Sequence, residues 1–167
     1  MNYAFIDAQN INLSVRDQGW KLDWKKFRVH LKDTYKVEKA YIFIGFMPEN
    51  QSLYSFLQSS GFVLIFKPVL HLKSGHTKWN VDAELVLQAM IDYDEYAKWV
   101  IVTGDGDFAC LVRHLYQHNK LEKLIVPNPK RYSKFLNEAA KERLDDLVNI
   151  RSKIEYKKGP HQLSTDT

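Results

Sequence analysis

The sequence predicts an α/β domain, a three-layer sandwich in which helices cover both faces of a parallel β-sheet. Short β-branched or aromatic runs alternate along the chain with segments that repeat apolar residues at helical spacing. Such alternation favours parallel strands joined by right-handed crossovers. The 167 residues suit one domain, and 45% hydrophobic with 26% charged residues is a globular composition.

Five short runs, rich in β-branched or aromatic residues, predict the strands. They are Tyr3–Ile6, Lys39–Phe46, Phe62–Phe66, Trp99–Val102 and Leu121–Val126. Between and after them, apolar residues three or four apart predict five helices. These are Trp24–Tyr35, Asn50–Ser60, Val81–Tyr93, Phe108–His118 and Ser133–Arg143. We expect Asp145–Ile150 (DDLVNI) to end the fold, so that residues 1–152 form the domain and 153–167 a flexible basic tail.

The composition and the N-terminal sequence limit the partners and the cellular location that we expect. The formal net charge of +4 weakly favours an anionic partner such as a nucleic acid. No run approaches the ~18 apolar residues of a membrane span. The N-terminal sequence MNYAFIDAQN has no basic start and carries an acid at position 7, unlike a signal peptide. We therefore expect a cytoplasmic protein without a membrane partner, and the sequence leaves monomer and homodimer open.

Carboxylates follow two of the predicted strands. Asp7 ends the first strand, and Asp105 and Asp107 follow the fourth in the motif TGDGDF. In an open parallel sheet, ligands bind beyond the carboxyl ends of the strands. If the first and fourth strands are neighbours, these acids meet there. The turn after Asp7 (DAQNIN) has no glycine, so it does not resemble a nucleotide phosphate cradle and offers oxygen ligands instead.

A fourth acid begins the central helix. Asp82 stands three residues before Leu85 and seven before Ala89, which predicts that it faces the sheet. The acids near the end of this helix are expected to face solvent: Asp92, Asp94 and Glu95. Four carboxylates in one pocket repel one another, and a divalent cation such as Mg²⁺ is the compensation that fits. The simpler alternative is that Asp107 is only a helix N-cap and Asp105 only a polar turn residue.

These motifs resemble the NYN family of the PIN-like nuclease superfamily, in its bacterial LabA-like branch. Asp7 and Asn10 match an Asp-x-x-Asn after the first strand, Asp82 matches the helix acid, and Thr103–Phe108 matches Ser/Thr-Gly-Asp-x-Asp-Phe. The likeness extends to about residue 150, although Asn80 stands where relatives commonly have glycine. It implies the strand order 3-2-1-4-5 and Mg²⁺- or Mn²⁺-dependent hydrolysis of RNA phosphodiesters.

The chemistry suggests a role for each matched residue. Asp7 and Asp105 are expected to bind the metal directly, and Asp82 and Asp107 to hold metal-bound waters or a second ion. Asn10 is expected to orient a carboxylate or a water, with a plain turn residue as the alternative.

Two basic segments could bind single-stranded RNA. Lys73, Lys78 and Trp79 precede Asp82, and cations beside an aromatic ring suit phosphates and a stacked base. A solvated loop explains this segment equally well. The second segment contributes candidate phosphate contacts after the fifth strand: Lys130, Arg131 and Ser133. An ordinary charged surface is the alternative there.

Two other functions stay open at this stage. The domain could be a catalytically silent module that binds RNA or protein and keeps its acids for structure. It could also be a phosphatase or nucleotide hydrolase, but such a site needs a second acid two residues after Asp7, where Gln9 stands.

Overall fold

The protein is described here by a computed structural model that covers residues 1–67, 70–71, 77–78 and 82–157, with residues 70, 71, 77, 78 and 82 as backbone only. Its main sheet has six parallel strands in the order β3-β2-β1-β4-β5-β6. The strands are β1 Asn2–Asp7, β2 Val37–Gly45, β3 Val63–Lys67, β4 Lys98–Val102, β5 Leu121–Val126 and β6 Leu144–Asp146. The expected order 3-2-1-4-5 is confirmed, and β6 extends it beside β5. Leu70–His71 and Thr77–Lys78 form a separate antiparallel pair.

Seven helices accompany the strands in the described part of the chain. They are α1 Ala8–Asp17, α2 Trp24–Tyr35, α3 Gln51–Ser59, α4 Asp82–Ile91, α5 Ala109–Gln117, α6 Lys134–Ala140 and α7 Arg151–Ile154. Short 3-10 turns lie at Pro48–Asn50, Gly106–Phe108 and Lys141–Arg143. The sequence predicted neither α1 nor α7, and the helix predicted over Ser133–Arg143 divides into α6 and a 3-10 turn. None of the described helices is long and apolar enough to cross a membrane.

Alternate side chains of the central strand enter two separate cores. Ala4 and Ile6 of β1 pack on the side that holds α1, α2 and α3. Tyr3 and Phe5 pack on the other side, with residues of α4, α5 and α6. Phe5 stacks on Trp99 with ring centroids 4.2 Å apart, and both are fully buried. Burial of a large side chain stabilises a fold by about 1.5–3 kcal/mol. The expected three-layer sandwich is confirmed.

The chain stays packed beyond the expected domain boundary at residue 152. Ile154 is fully buried in the core beneath α2. Glu155 pairs with Leu22 in a short antiparallel bridge. Its carboxylate forms an ion pair with the Arg151 guanidinium, with 2.7 Å between Nη2 and Oε1. The amide of Tyr156 donates to the carbonyl of Lys21. Residues 153–157 therefore pack on the domain, because Ile154 supplies an apolar side chain to the core. Residues 158–167 of the expected tail lie outside the described residues.

Asp92, just beyond α4, is buried and does not face solvent as expected. Only 5% of its surface is exposed. The Tyr41 hydroxyl of β2 donates to Asp92 Oδ2 at 2.6 Å, and Gln88 Nε2 donates to Oδ1 at 3.0 Å. The sequence could not show this, because Tyr41 lies 51 residues away. The contact fixes the end of α4 on the sheet, and α4 is the helix that Asp82 begins.

We expect Tyr41→Phe to lower the free energy of unfolding at pH 7 by about 1.5–3 kcal/mol, because Asp92 loses a donor. Burial, followed by the interaction with Asp92, raises the pKa of Tyr41 to about 12. An unfolded tyrosine titrates near pH 10. The contribution is therefore complete below about pH 10 and is lost as the pH rises through about 12.

Urea unfolding between pH 7 and pH 12 measures this effect. The stability of Tyr41→Phe should fall less steeply above about pH 10 than that of the wild type. Tyr156→Phe, at a half-exposed tyrosine, is the control and should keep the wild-type slope. Equal slopes for wild type and Tyr41→Phe would contradict the assignment.

Candidate functional site

Asp7 lies where the central strand meets the first helix. It ends β1 and is also the N-cap of α1, with Oδ1 accepting from the amide of Asn10 at 3.2 Å. Only 5% of its surface is exposed. Since β1 pairs with β2 on one side and β4 on the other, Asp7 stands at the middle of the carboxyl edge of the sheet. The position agrees with the one that the sequence predicted.

Two hydrogen bonds join Asp7 and its helix to the loop after β4. The hydroxyl of Thr103, a fully buried residue, donates to Asp7 Oδ2 at 3.2 Å and accepts from the amide of Asp105 at 3.2 Å. The amide of Gly104 donates to Asn10 Oδ1 at 2.7 Å. One hydroxyl and one side-chain amide thus hold the two acid-bearing segments together. We call Asp7, Asn10, Thr103, Gly104 and Asp105 the acidic edge.

Asp105 and Asp107 occupy different positions in their turn. Asp105 is half-buried and is the N-cap of the 3-10 turn Gly106–Phe108, with Oδ1 accepting from the amide of Asp107 at 3.0 Å. Asp107 lies inside that turn and is exposed. The N-cap considered for Asp107 therefore belongs to Asp105, because a 3-10 turn precedes α5. Among the described residues, neither acid has an ion pair with a lysine or arginine.

Gly104 and Gly106 flank Asp105 in the segment Gly104–Asp107, which we call the acidic turn. These glycines allow a close approach of the loop before α6. A Cβ on Gly106 would lie 2.4 Å from Ser133 Oγ and 2.7 Å from Ser133 Cβ. A Cβ on Gly104 would lie 3.2 Å from Asn10 Oδ1. The amide of Ser133 donates to the carbonyl of Gly104 at 3.3 Å, and its hydroxyl caps α6 by accepting from Phe135. Ser133, predicted as a phosphate contact, therefore lies directly beside the acidic turn.

The backbone of helix α4 places Asp82 at the end of the molecule that holds the acidic edge. It begins at Asp82, follows the carboxyl end of β3, and lies against the 3-10 turn that carries Asp107. An ion pair of 3.1 Å between Lys67 of β3 and Glu84 anchors its first turn. The side chain of Asp82 lies outside the described part of the structure. Among the side chains that are described, no three His, Cys, Asp or Glu residues form a group that could hold a metal ion.

The predicted substrate residues divide into two groups. Lys130 and Arg131 belong to the loop after β5; the amide of Lys130 donates to Asn128 Oδ1, and Arg131 lies 3.9 Å from Asp17 with its side chain 78% exposed. They line a surface pocket of about 440 Å³ beside α1. Of the other group, Lys78 is described only as backbone, and Lys73 and Trp79 lie outside the described residues.

Sequence reasoning missed the link that Thr103 makes. Its residue type was part of the motif, but no role was predicted for its hydroxyl. A polar residue that ends a continuous apolar strand is the signal that could have indicated it, since a buried hydroxyl needs a partner. The partner, Asp7, lies 96 residues away.

The three-layer α/β fold and its strand order are those that the resemblance to PIN-like nucleases implies. The family model described as "NYN domain" matches residues 3–146. The chain therefore belongs to the NYN domain family, within the PIN-like nuclease superfamily, and it is LabA-like.

Two proteins show how far this similarity extends. The chain is 26% identical over 166 residues to the "Low amplitude and bright protein LabA" of Synechococcus elongatus, covering 93% of this chain and 88% of LabA. A crystal structure of a protein of unknown function from Vibrio parahaemolyticus superposes with a TM-score of 0.74 at 22% identity, covering 93% and 95% of the two chains. The superposition supports the fold.

Proposed function

We propose that this protein is a metal-dependent endoribonuclease that hydrolyses phosphodiester bonds of single-stranded RNA. The observation that carries the proposal is the hydrogen-bonded link from Asp7 through Thr103 to Asp105, which holds two acid-bearing strand ends at one edge of the sheet. Membership of a nuclease superfamily gives the reaction class. We propose the cytoplasm, where RNA is available, as its place of action.

The donor set at the acidic edge fits Mg²⁺ or Mn²⁺. Its described residues offer carboxylate oxygens, which these cations prefer, and contribute no thiolate or imidazole that would favour a softer metal. We assign Asp7 and Asp105 as direct ligands, and Asp82 and Asp107 as the residues that hold metal-bound waters or a second ion. When bound, such a cation lowers the pKa of a water and stabilises charge on phosphate oxygens.

The chain's own residues position this chemistry. Asn10 fixes the acidic loop by accepting from Gly104, which holds Asp105 beside Asp7. Lys130 and Arg131 belong to the loop whose flanking residues Pro127 and Tyr132 lie beside Gly104, and we assign their positive charges to the phosphates of the strand. Lys73, Lys78 and Trp79 are proposed to contact the RNA from the segment before Asp82.

Metal and RNA added to the wild-type protein test the proposal. Mn²⁺ at 100 times its dissociation constant should stabilise the protein by about 2.7 kcal/mol. Labelled single-stranded RNA should be cut in the presence of Mn²⁺ or Mg²⁺ and left intact in EDTA. No cleavage and no stabilisation at millimolar metal would replace the nuclease by a catalytically silent binding module.

A further inference from the structure

An aromatic groove of about 450 Å³ opens on the layer formed by α1, α2 and α3. Its walls come from α1, the start of α2, α3 and the segment after α7. The side chains that matter here are Trp24, Leu53, Phe56 and Tyr156, with Lys21 and Lys25 at its rim. The volume lies within the usual range of small-ligand pockets, about 300–1,000 Å³.

Two aromatic rings stand exposed across this aromatic groove. Phe56 is 45% exposed and Tyr156 46% exposed, whereas Trp24 below them is only 8% exposed. The backbone holds Tyr156 in place, because its amide donates to the carbonyl of Lys21 at 2.8 Å. The Lys21 ammonium also lies 5.0 Å from the centroid of the Tyr156 ring. Flat apolar surfaces held in this way suit the faces of a nucleobase.

The rim of the aromatic groove is positively charged. Lys21 and Lys25 are both exposed. Among the described residues that line the groove, the one acid, Asp23, is already engaged. It caps α2 by accepting from the amide of Lys26 at 3.0 Å, and Lys26 Nζ lies 3.6 Å from its other oxygen. The free charges therefore favour an anion, and lysines beside aromatic rings are the pairing that single-stranded nucleic acid requires.

The aromatic groove and the acidic edge share helix α1. Helix α1 starts directly after Asp7, and Asn12, which lines the groove, lies five residues further along it. At a rise of 1.5 Å per residue this is roughly 7.5 Å along the helix axis. Helix α3, the opposite wall, follows the end of β2, which pairs with β1 beside Asp7. A short length of single strand can span an axial separation of this size.

We propose that the aromatic groove is a base-stacking subsite for the RNA strand that passes the acidic edge. The inference rests on the proposed function and adds where the strand leaves the site. One base stacks on Phe56 and Tyr156, and Lys21 and Lys25 contact the neighbouring phosphates. This path lies on the α1–α3 layer.

The test measures the affinity of the full chain for a fluorescein-labelled oligouridine of twelve nucleotides. The buffer contains EDTA, so that metal-dependent cleavage does not interfere. Phe56→Ala should weaken binding about 5- to 150-fold, the range for loss of one stacked base. Phe56→Trp should retain it. Tyr116→Ala, which changes a tyrosine in the opposite layer, is the control and should bind like the wild type. Melting curves confirm that the variants are folded.

A second set of oligouridines, each with one abasic position, locates the stacked base. In the wild type, one position should be more sensitive than the others, and this difference should vanish in Phe56→Ala. If the wild type cuts RNA but Phe56→Ala binds it with unchanged affinity, the subsite is wrong and the nuclease stands. If the wild type neither binds nor cuts RNA, both proposals fall.

Discussion

Asp105→Asn is expected to abolish RNA cleavage while leaving the metal-free protein at least as stable as the wild type. Asparagine keeps the Oδ1 acceptor that caps the 3-10 turn, so the 3.0 Å bond from the Asp107 amide can persist. It removes one negative charge close to Asp7, and relief of that repulsion favours the folded state without metal. The stabilisation by Mn²⁺ of about 2.7 kcal/mol at 100 times the dissociation constant should largely disappear.

Melting curves with and without Mn²⁺, beside a cleavage assay on labelled single-stranded RNA, measure this result. Asp94→Asn, at an exposed acid beyond α4, is the matched control and should behave as the wild type. Asp105→Ala separates the two roles of this residue, because loss of the cap should cost about 1 kcal/mol whether or not metal is present. Full cleavage by Asp105→Asn would show that this carboxylate serves the turn alone.

Gly106→Ala is expected to destabilise the protein by about 1–3 kcal/mol and to reduce cleavage strongly. The new Cβ would lie 2.4 Å from Ser133 Oγ and 2.7 Å from Ser133 Cβ, so the acidic turn or the start of α6 must move. Movement of the turn displaces Asp105, whose amide is held by Thr103. Both the melting temperature and the rate of cleavage should fall.

The double variant Gly106→Ala with Ser133→Gly provides the control. Removing the Ser133 side chain clears the contact, at the cost of the α6 N-cap. It should therefore recover more cleavage than stability. Wild-type melting and cleavage for Gly106→Ala alone would show that the turn tolerates the added methyl group, and the close packing against Ser133 would have no role in the site.

The main elements of the fold follow from local sequence patterns, whereas the weakest elements do not. The helix predicted over Trp24–Tyr35 and the strand predicted over Leu121–Val126 have the observed bounds. Helix α1 was missed although its buried residues have helical spacing, because only three residues carry the pattern: Ala8, Ile11 and Val15. Strand β6 is only three residues long, and no side-chain pattern marks a strand of that length.

The residues of the site were easier to predict than the hydrogen bonds that join them. The sequence placed Asp7 and Asp105 at strand ends, because strand and turn signals are local. The bonds from Thr103 to Asp7 and from Gly104 to Asn10 depend on β1 and β4 being neighbours, which no local pattern encodes. Likewise the alternative that made Asp107 an N-cap placed the cap two residues too late, because a 3-10 turn capped by Asp105 precedes α5.

The central position of β1 also determines when the site can exist during synthesis. Asp7 leaves the ribosome early, but its partner Thr103 follows 96 residues later, and Gly104 follows Asn10 by 94. At about 5–20 residues per second, Asp7 waits roughly 5–20 s for that partner. No N-terminal fragment that ends before β4 can assemble the acidic edge. A nascent chain is thus without its proposed catalytic site until β4 and the loop after it have been synthesised.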